Sequence, residues 1–168
     1  GLLVVDEAFI DFLPRESSLA ADLPPRAIVL RSFGKTYGLA GLRLGFAIAH
    51  PAMAARLRAE LGPWVVSGAA LEIGRRALRD GDWLSAARER LVADSARLDG
   101  LLRAAGFEIV GGTLLFRLAS HSSAALFVQR LGLQGIHVRA FPDAPDQLRF
   151  GLPGDDAAFR RLAIALGV

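Results

Sequence analysis

Short apolar runs, each ending in a polar or glycine-bearing segment, most narrow what this chain can fold into. Leu2-Leu3-Val4-Val5 ends at Asp6-Glu7, Ala27 to Arg31 runs into Ser32-Phe33-Gly34-Lys35-Thr36, and Leu44 to Ala49 follows a stretch punctuated by Gly38 and Gly41. Apolar runs of this length without polar alternation predict strands buried on both faces, as in a parallel sheet. Open α/β sheets bind ligands beyond the carboxyl ends of such strands, so the polar segments are where site residues are expected. A strand at the very start of the chain leads us to expect an upstream portion of the same domain.

Helical signals follow. Pro51 predicts a helix to about Leu61, stopped by Gly62-Pro63, and a second helix is expected over Gly68 to Arg79. With Asp82 as N-cap, apolar residues recur at Leu84, Ala87, Leu91, Leu98, Leu101, Leu102 and Ala105, which predicts one long amphipathic helix ending at Gly106. Beyond it we expect a strand at Phe107 to Val110, a Gly111-Gly112 turn and a strand at Leu114 to Leu118. A helix near Ser122 to Leu131, strands at Ile136 to Arg139 and Leu148 to Phe150, and a last helix from Asp155 complete the reading. The fold class is therefore α/β. Residues 1–80 read as part of a large domain with a mostly parallel sheet, and residues 81–168 as a long linking helix and a small α/β domain.

Composition narrows the function classes. The chain has no cysteine, which excludes disulfides, thiolate metal sites and cysteine nucleophiles, and a cytoplasmic location is the expectation. The net charge is only +3 with basic residues dispersed, so no nucleic-acid partner is expected, and no apolar run reaches the roughly 18 residues of a membrane span. Of the 20 basic residues, the one lysine is Lys35. Arginine replaces lysine wherever only charge is wanted, but a guanidinium cannot become the neutral amine that attacks an aldehyde. Composition alone leaves two readings open, a reactive amine or a chance survivor in an arginine-rich chain.

Two phosphate-binding motifs fail. Gly34-Lys35-Thr36 matches the end of G-x-x-x-x-G-K-[ST], but the first glycine would fall at position 29, which is valine. Gly38-Leu39-Ala40-Gly41 is likewise not a dinucleotide fingerprint.

The remaining constellation is Asp6-Glu7-Ala8-Phe9, Ser32-Phe33-Gly34-Lys35 and Arg43. It resembles the fold-type I pyridoxal 5'-phosphate (PLP) enzymes, the class I/II aminotransferase superfamily. The resemblance implies Lys35 as the residue that forms the Schiff base, Asp6 as partner of the pyridine nitrogen, and Ser32 and Arg43 as holders of the cofactor phosphate. Many members carry tyrosine where Phe9 stands. Phenylalanine packs but cannot donate a hydrogen bond to the cofactor's 3'-oxygen.

The longer strings at 5–12 and 32–46, with Phe9 and Pro63-Trp64-Val65-Val66-Ser67, look like the threonine-phosphate decarboxylase family of cobalamin biosynthesis. The resemblance implies a lyase acting on a small phosphorylated amino acid, in a homodimer. Histidinol-phosphate aminotransferase is the enzyme alternative, and an inactive fragment is the non-enzyme alternative. Arg149 is expected to bind the substrate carboxylate. Arg139 has two open readings, substrate recognition or stability of the small domain. His50, His121 and His137 show no metal spacing, and Trp64 and Trp83 read as core residues.

Overall fold

Strand β2 (Ala27–Ser32) is the centre of the first sheet, with Ala27, Ile28 and Val29 buried. Strand β1 (Leu3–Asp6) pairs parallel to it, from Leu3 opposite Ala27 to Asp6 opposite Leu30. Strand β3 (Gly45–Ala49) pairs antiparallel on the other side, ending with Ser32 opposite Gly45. The computed structural model describes residues 1–168, the Arg15 side chain excepted. It divides into two units, Gly1–Trp83 and Leu84–Val168.

The parallel β1–β2 pair matches the expected sheet type, but β1 is not buried. It is an edge strand with a ladder on one side only, and Leu3 and Val4 are 50% and 54% exposed. Helices α1 (Phe33–Thr36), α2 (Pro51–Leu61) and α3 (Gly68–Ala77) complete the first unit. Pro51 opens α2 where its missing N–H costs nothing, and the Ser67 side chain caps α3 by accepting from the Ala70 N–H. Trp64 departs from the core expectation. It is 94% exposed with φ of 69°, because the chain turns sharply after Gly62. Trp83 is also outside the core, half-exposed and stacked on Tyr37, which in turn stacks on Phe33.

Helix α4 (Gly81–Ala104) buries Ala87, Leu91, Ser95, Leu98 and Leu102, a stripe at helical spacing. Its N-terminal cap is Asp80 rather than Asp82, since the Asp80 carboxylate accepts from the Trp83 N–H at 3.0 Å. The second sheet has strand order β4-β5-β7-β6, all antiparallel: β4 (Glu108–Thr113), β5 (Phe116–Ser120), β6 (Arg139–Phe141) and β7 (Ala144–Gly151). Gly111-Gly112 is not the turn. Both glycines lie in β4, and the chain reverses at Leu114-Leu115. At Gly112, φ is +148° and a Cβ would stand 2.4 Å from the Phe116 carbonyl oxygen, so only glycine lets β5 approach there. The strand expected at Ile136 to Arg139 begins only at Arg139.

Helices α5 (Ala124–Leu133) and α6 (Asp156–Leu166) cover this sheet, with Leu98, Leu102, Phe107, Leu131, Leu148, Phe150, Phe159 and Leu162 in the shared core. The Asp155 side chain caps α6 through the Ala158 N–H. Among the described residues no helix is long and apolar enough to cross a membrane.

Candidate active site

At the carboxyl end of β2 the chain leaves the sheet through Ser32 and turns at once into α1, which carries Lys35. Phe33 anchors this single turn in the core, and the Phe33 N–H donates to the Leu44 carbonyl. Gly34 sits so close to the next turn that a Cβ would lie 2.6 Å from the Ala40 Cα. Backbone thus fixes Lys35 from one side.

Arg43 closes a 3-10 turn over Ala40–Leu42 and adopts a left-handed conformation, φ 54°. Such a backbone costs a non-glycine residue on the order of 1 to 2 kcal/mol and is common at ligand sites. Ser32, Lys35 and Arg43, with Arg31, Gly34, Ala40, Leu44 and Gly45, line a cavity of about 420 Å³. Its wall carries the Lys35 and Arg43 cations and the Ser32 hydroxyl, and no carboxylate, which suits an anionic phosphate.

The Lys35 ammonium lies over the Phe9 ring, 4.3 Å from its centroid. Phe9 therefore touches the amine, a contact that its inability to hydrogen-bond gave no reason to expect. Asp6 ends β1 on the neighbouring strand, exposed, with Oδ1 accepting from the Ala8 N–H at 2.9 Å. It is not on the wall of the cavity. The structure thus brings Ser32, Lys35 and Arg43 to one cavity, with Phe9 beneath the lysine and Asp6 at the adjacent strand end.

Behind this wall lies a polar network that the sequence reading missed. Glu7 is buried, and its carboxylate accepts from the Ser18 hydroxyl at 2.7 Å and the Leu19 N–H at 2.8 Å. Arg31 Nε stands 3.1 Å from Glu7 Oε2, an ion pair without hydrogen-bond alignment. The other side of the guanidinium reaches Asp11 Oδ1 at 2.5 Å and the Ser18 hydroxyl at 3.2 Å. Asp11 Oδ2 accepts from the buried Thr36 hydroxyl at 2.5 Å. Stranding a buried carboxylate such as Glu7 commonly costs about 3 to 5 kcal/mol, whereas Arg31 and Asp11, each about a quarter exposed, are partly screened by water. The signal available in sequence was a charged residue, Arg31, ending an otherwise apolar strand.

Burial first, and then the Asp11 charge, raise the Tyr37 phenol above its ordinary value.

In the second unit, Arg139 and Arg149 face each other across the β6–β7 ladder. Each guanidinium stacks on an aromatic ring, Arg139 on Phe141 at 5.5 Å and Arg149 on Phe116 at 5.2 Å. Among the described residues neither has a carboxylate in ion-pair range.

A sheet whose strand ends present a lysine, a serine and an arginine to one cavity is consistent with the family assignment: the chain matches Aminotransferase class I and II over residues 1–166 and belongs to that family. It is 45% identical over 166 residues to threonine-phosphate decarboxylase from Pseudomonas aeruginosa, covering 99% of this chain and 50% of the relative. It is 48% identical over 167 residues to threonine-phosphate decarboxylase from a Sinorhizobium species, again covering 99% and 50%. The chain therefore spans about half the length of these curated relatives. Among solved structures, histidinol-phosphate aminotransferase from Sinorhizobium meliloti, in complex with pyridoxal-5'-phosphate, superposes with a TM-score of 0.86 at 24% identity, covering 98% of this chain and 47% of that one. That likeness speaks for the fold.

Proposed function

We propose that this chain is the lysine-bearing part of a PLP-dependent decarboxylase that converts L-threonine O-3-phosphate to (R)-1-aminopropan-2-yl phosphate. The observation that carries the reading is the cavity in which the sole lysine meets Ser32 and Arg43. The identity to threonine-phosphate decarboxylases, nearly half of all positions, supports the choice of substrate.

The residues present fit the cofactor. When bound, PLP supplies a ring that takes up the electron pair released at the substrate's α-carbon. Arg43 and the Ser32 hydroxyl would hold its phosphate, Asp6, at the neighbouring strand end, would pair with the ring nitrogen, and Phe9 would pack without donating a hydrogen bond. Lys35 is the residue that would bond the cofactor, and its amine would move a proton at the substrate's α-carbon. The substrate loses carbon dioxide and takes one proton in its place. By the family resemblance Arg149 would bind the substrate carboxylate, and Arg139 would either help recognise the substrate or stabilise the small domain. The working protein is a cytoplasmic homodimer in this reading, with residues 1–80 forming part of the large PLP-binding domain and residues 81–168 the long linking helix and the small domain.

The test supplies L-threonine phosphate to the PLP-loaded protein and follows carbon dioxide and aminopropanol phosphate. Release of both in equal amounts supports the reading. Amino-group transfer from histidinol phosphate to a 2-oxo acid, without carbon dioxide, replaces it with the aminotransferase alternative. Binding of PLP with neither reaction leaves an inactive fragment.

A further inference from the structure

Asp6 ends β1, Ser32 ends β2 and Lys35 lies in α1, and each has a chain neighbour whose side chain belongs to the Glu7–Arg31–Asp11–Thr36 network. The three neighbours thus meet in one part-buried polar network. Asp6 is followed by Glu7, Ser32 is preceded by Arg31, and Lys35 is followed by Thr36. Glu7 and Arg31 form an ion pair, and Asp11 joins Arg31 on one oxygen to Thr36 on the other. The Asp11 carboxylate therefore binds both ends of the Ser32–Lys35 segment, one residue before the serine and one after the lysine.

The network is closed to solvent at Glu7 and Thr36 and about a quarter exposed at Arg31 and Asp11. Glu7 and Thr36 are buried, and the Ser18 hydroxyl and Leu19 N–H occupy what remains of the Glu7 carboxylate. Arg31 borders the lysine cavity and also an apolar cavity and a small polar one on the other side, each of which Asp11 helps to line. A guanidinium between two carboxylates has few orientations open to it, because a planar fork must match both partners.

We propose that Asp11 is a positioning residue of this site, fixing Lys35 through the Thr36 hydroxyl and Ser32 through Arg31, with Glu7 extending the same frame to the strand end that carries Asp6. The inference rests on the reading of Lys35 as the cofactor-bearing amine. Asp11 itself touches neither the amine nor the cavity that holds it. Its effect is on where the lysine and serine stand, and a displacement of about 1 Å at a reacting group is enough to slow a reaction strongly.

The experiment compares wild type, Thr36→Val, Thr36→Ser and Asp11→Asn, with two readouts. In the cofactor-free chain, hydrogen exchange is followed in peptides covering 6–13, 31–38 and 45–49. Thr36→Val and Asp11→Asn are expected to speed exchange in the first two together and leave 45–49 unchanged. With PLP added, the rate of borohydride-trappable adduct formation at Lys35 is expected to fall about tenfold in Thr36→Val, the loss of one hydrogen bond to a charged group. Thr36→Ser, which restores the hydroxyl, is expected to return the wild-type rate and the wild-type pH midpoint of the visible absorbance band. Thr36→Val keeps the size of the side chain, so the result does not depend on Asp11→Asn folding. Equal trapping rates in wild type and Thr36→Val, or exchange that stays unchanged in 31–38, overturn the positioning role while the cofactor reading stands. Failure of wild type to form any Lys35 adduct overturns both.

Discussion

The ammonium of Lys35 and the ring of Phe9 are in cation–π contact, 4.3 Å from nitrogen to centroid. The lysine is exposed and the ring half-buried, so the contact belongs to the weaker range of such interactions, about 0.5 to 1 kcal/mol. A double-mutant cycle with Phe9→Leu and Lys35→Met, read by urea unfolding, is expected to return a coupling of that size. A coupling of zero contradicts the contact.

Tyr37 is the sole tyrosine of the chain, so its ionisation is directly visible in an absorbance titration. Burial, and then the Asp11 charge, place its midpoint above the ordinary value of 10.0. Asp11→Asn is expected to move the midpoint part of the way back, leaving the burial effect. The folded chain holds this proton more tightly than the unfolded one. The associated stability is therefore full below about 10 and is lost as the pH climbs through the folded value. A Tyr37 midpoint at or below that of a free tyrosine contradicts the burial.

Adjacent glycines in β4 are expected to behave oppositely. Gly112→Ala drives a Cβ against the Phe116 carbonyl oxygen at a positive φ, whereas Gly111→Ala meets nothing within 4 Å. The first is expected to destabilise by about 1 to 3 kcal/mol and the second to stay within about 0.5 kcal/mol in thermal unfolding. Equal effects contradict the strand path through these residues.

Arg139 and Arg149 are register partners on the β6–β7 ladder, and like charges opposite one another on a sheet destabilise by roughly 0.2 to 1 kcal/mol. Arg139→Gln is therefore expected to hold or raise the urea midpoint of the chain while weakening turnover at low substrate. A drop in stability contradicts a like-charge cost at this pair.

Elements with strictly local causes were legible in the sequence. Helix α2 begins at Pro51 and stops at Gly62, and Asp155 caps α6, because each signal acts within one turn of the residue that carries it. The lysine segment was legible for the same reason, since Ser32, Lys35 and Arg43 fall within a dozen residues that fold as strand, turn and turn. The network of Glu7, Asp11, Arg31 and Thr36 was not, because its partners are 20 and more residues apart in places and meet only once β1 and β2 pair. The expected glycine turn failed because Gly111-Gly112 serves close strand approach instead of reversal. The tryptophan expectation failed because size alone says nothing about which surface covers a ring.

The central claim is that Lys35 is the amine that bonds the cofactor. Incubation with PLP, borohydride reduction and peptide mass mapping, in wild type and Lys35→Ala, tests it most directly. The account predicts a visible absorbance band in wild type, a reduced pyridoxyl group on the peptide that contains Lys35, and neither in the variant. Wild type that binds PLP without modification at Lys35, or a variant that keeps the band, would contradict it.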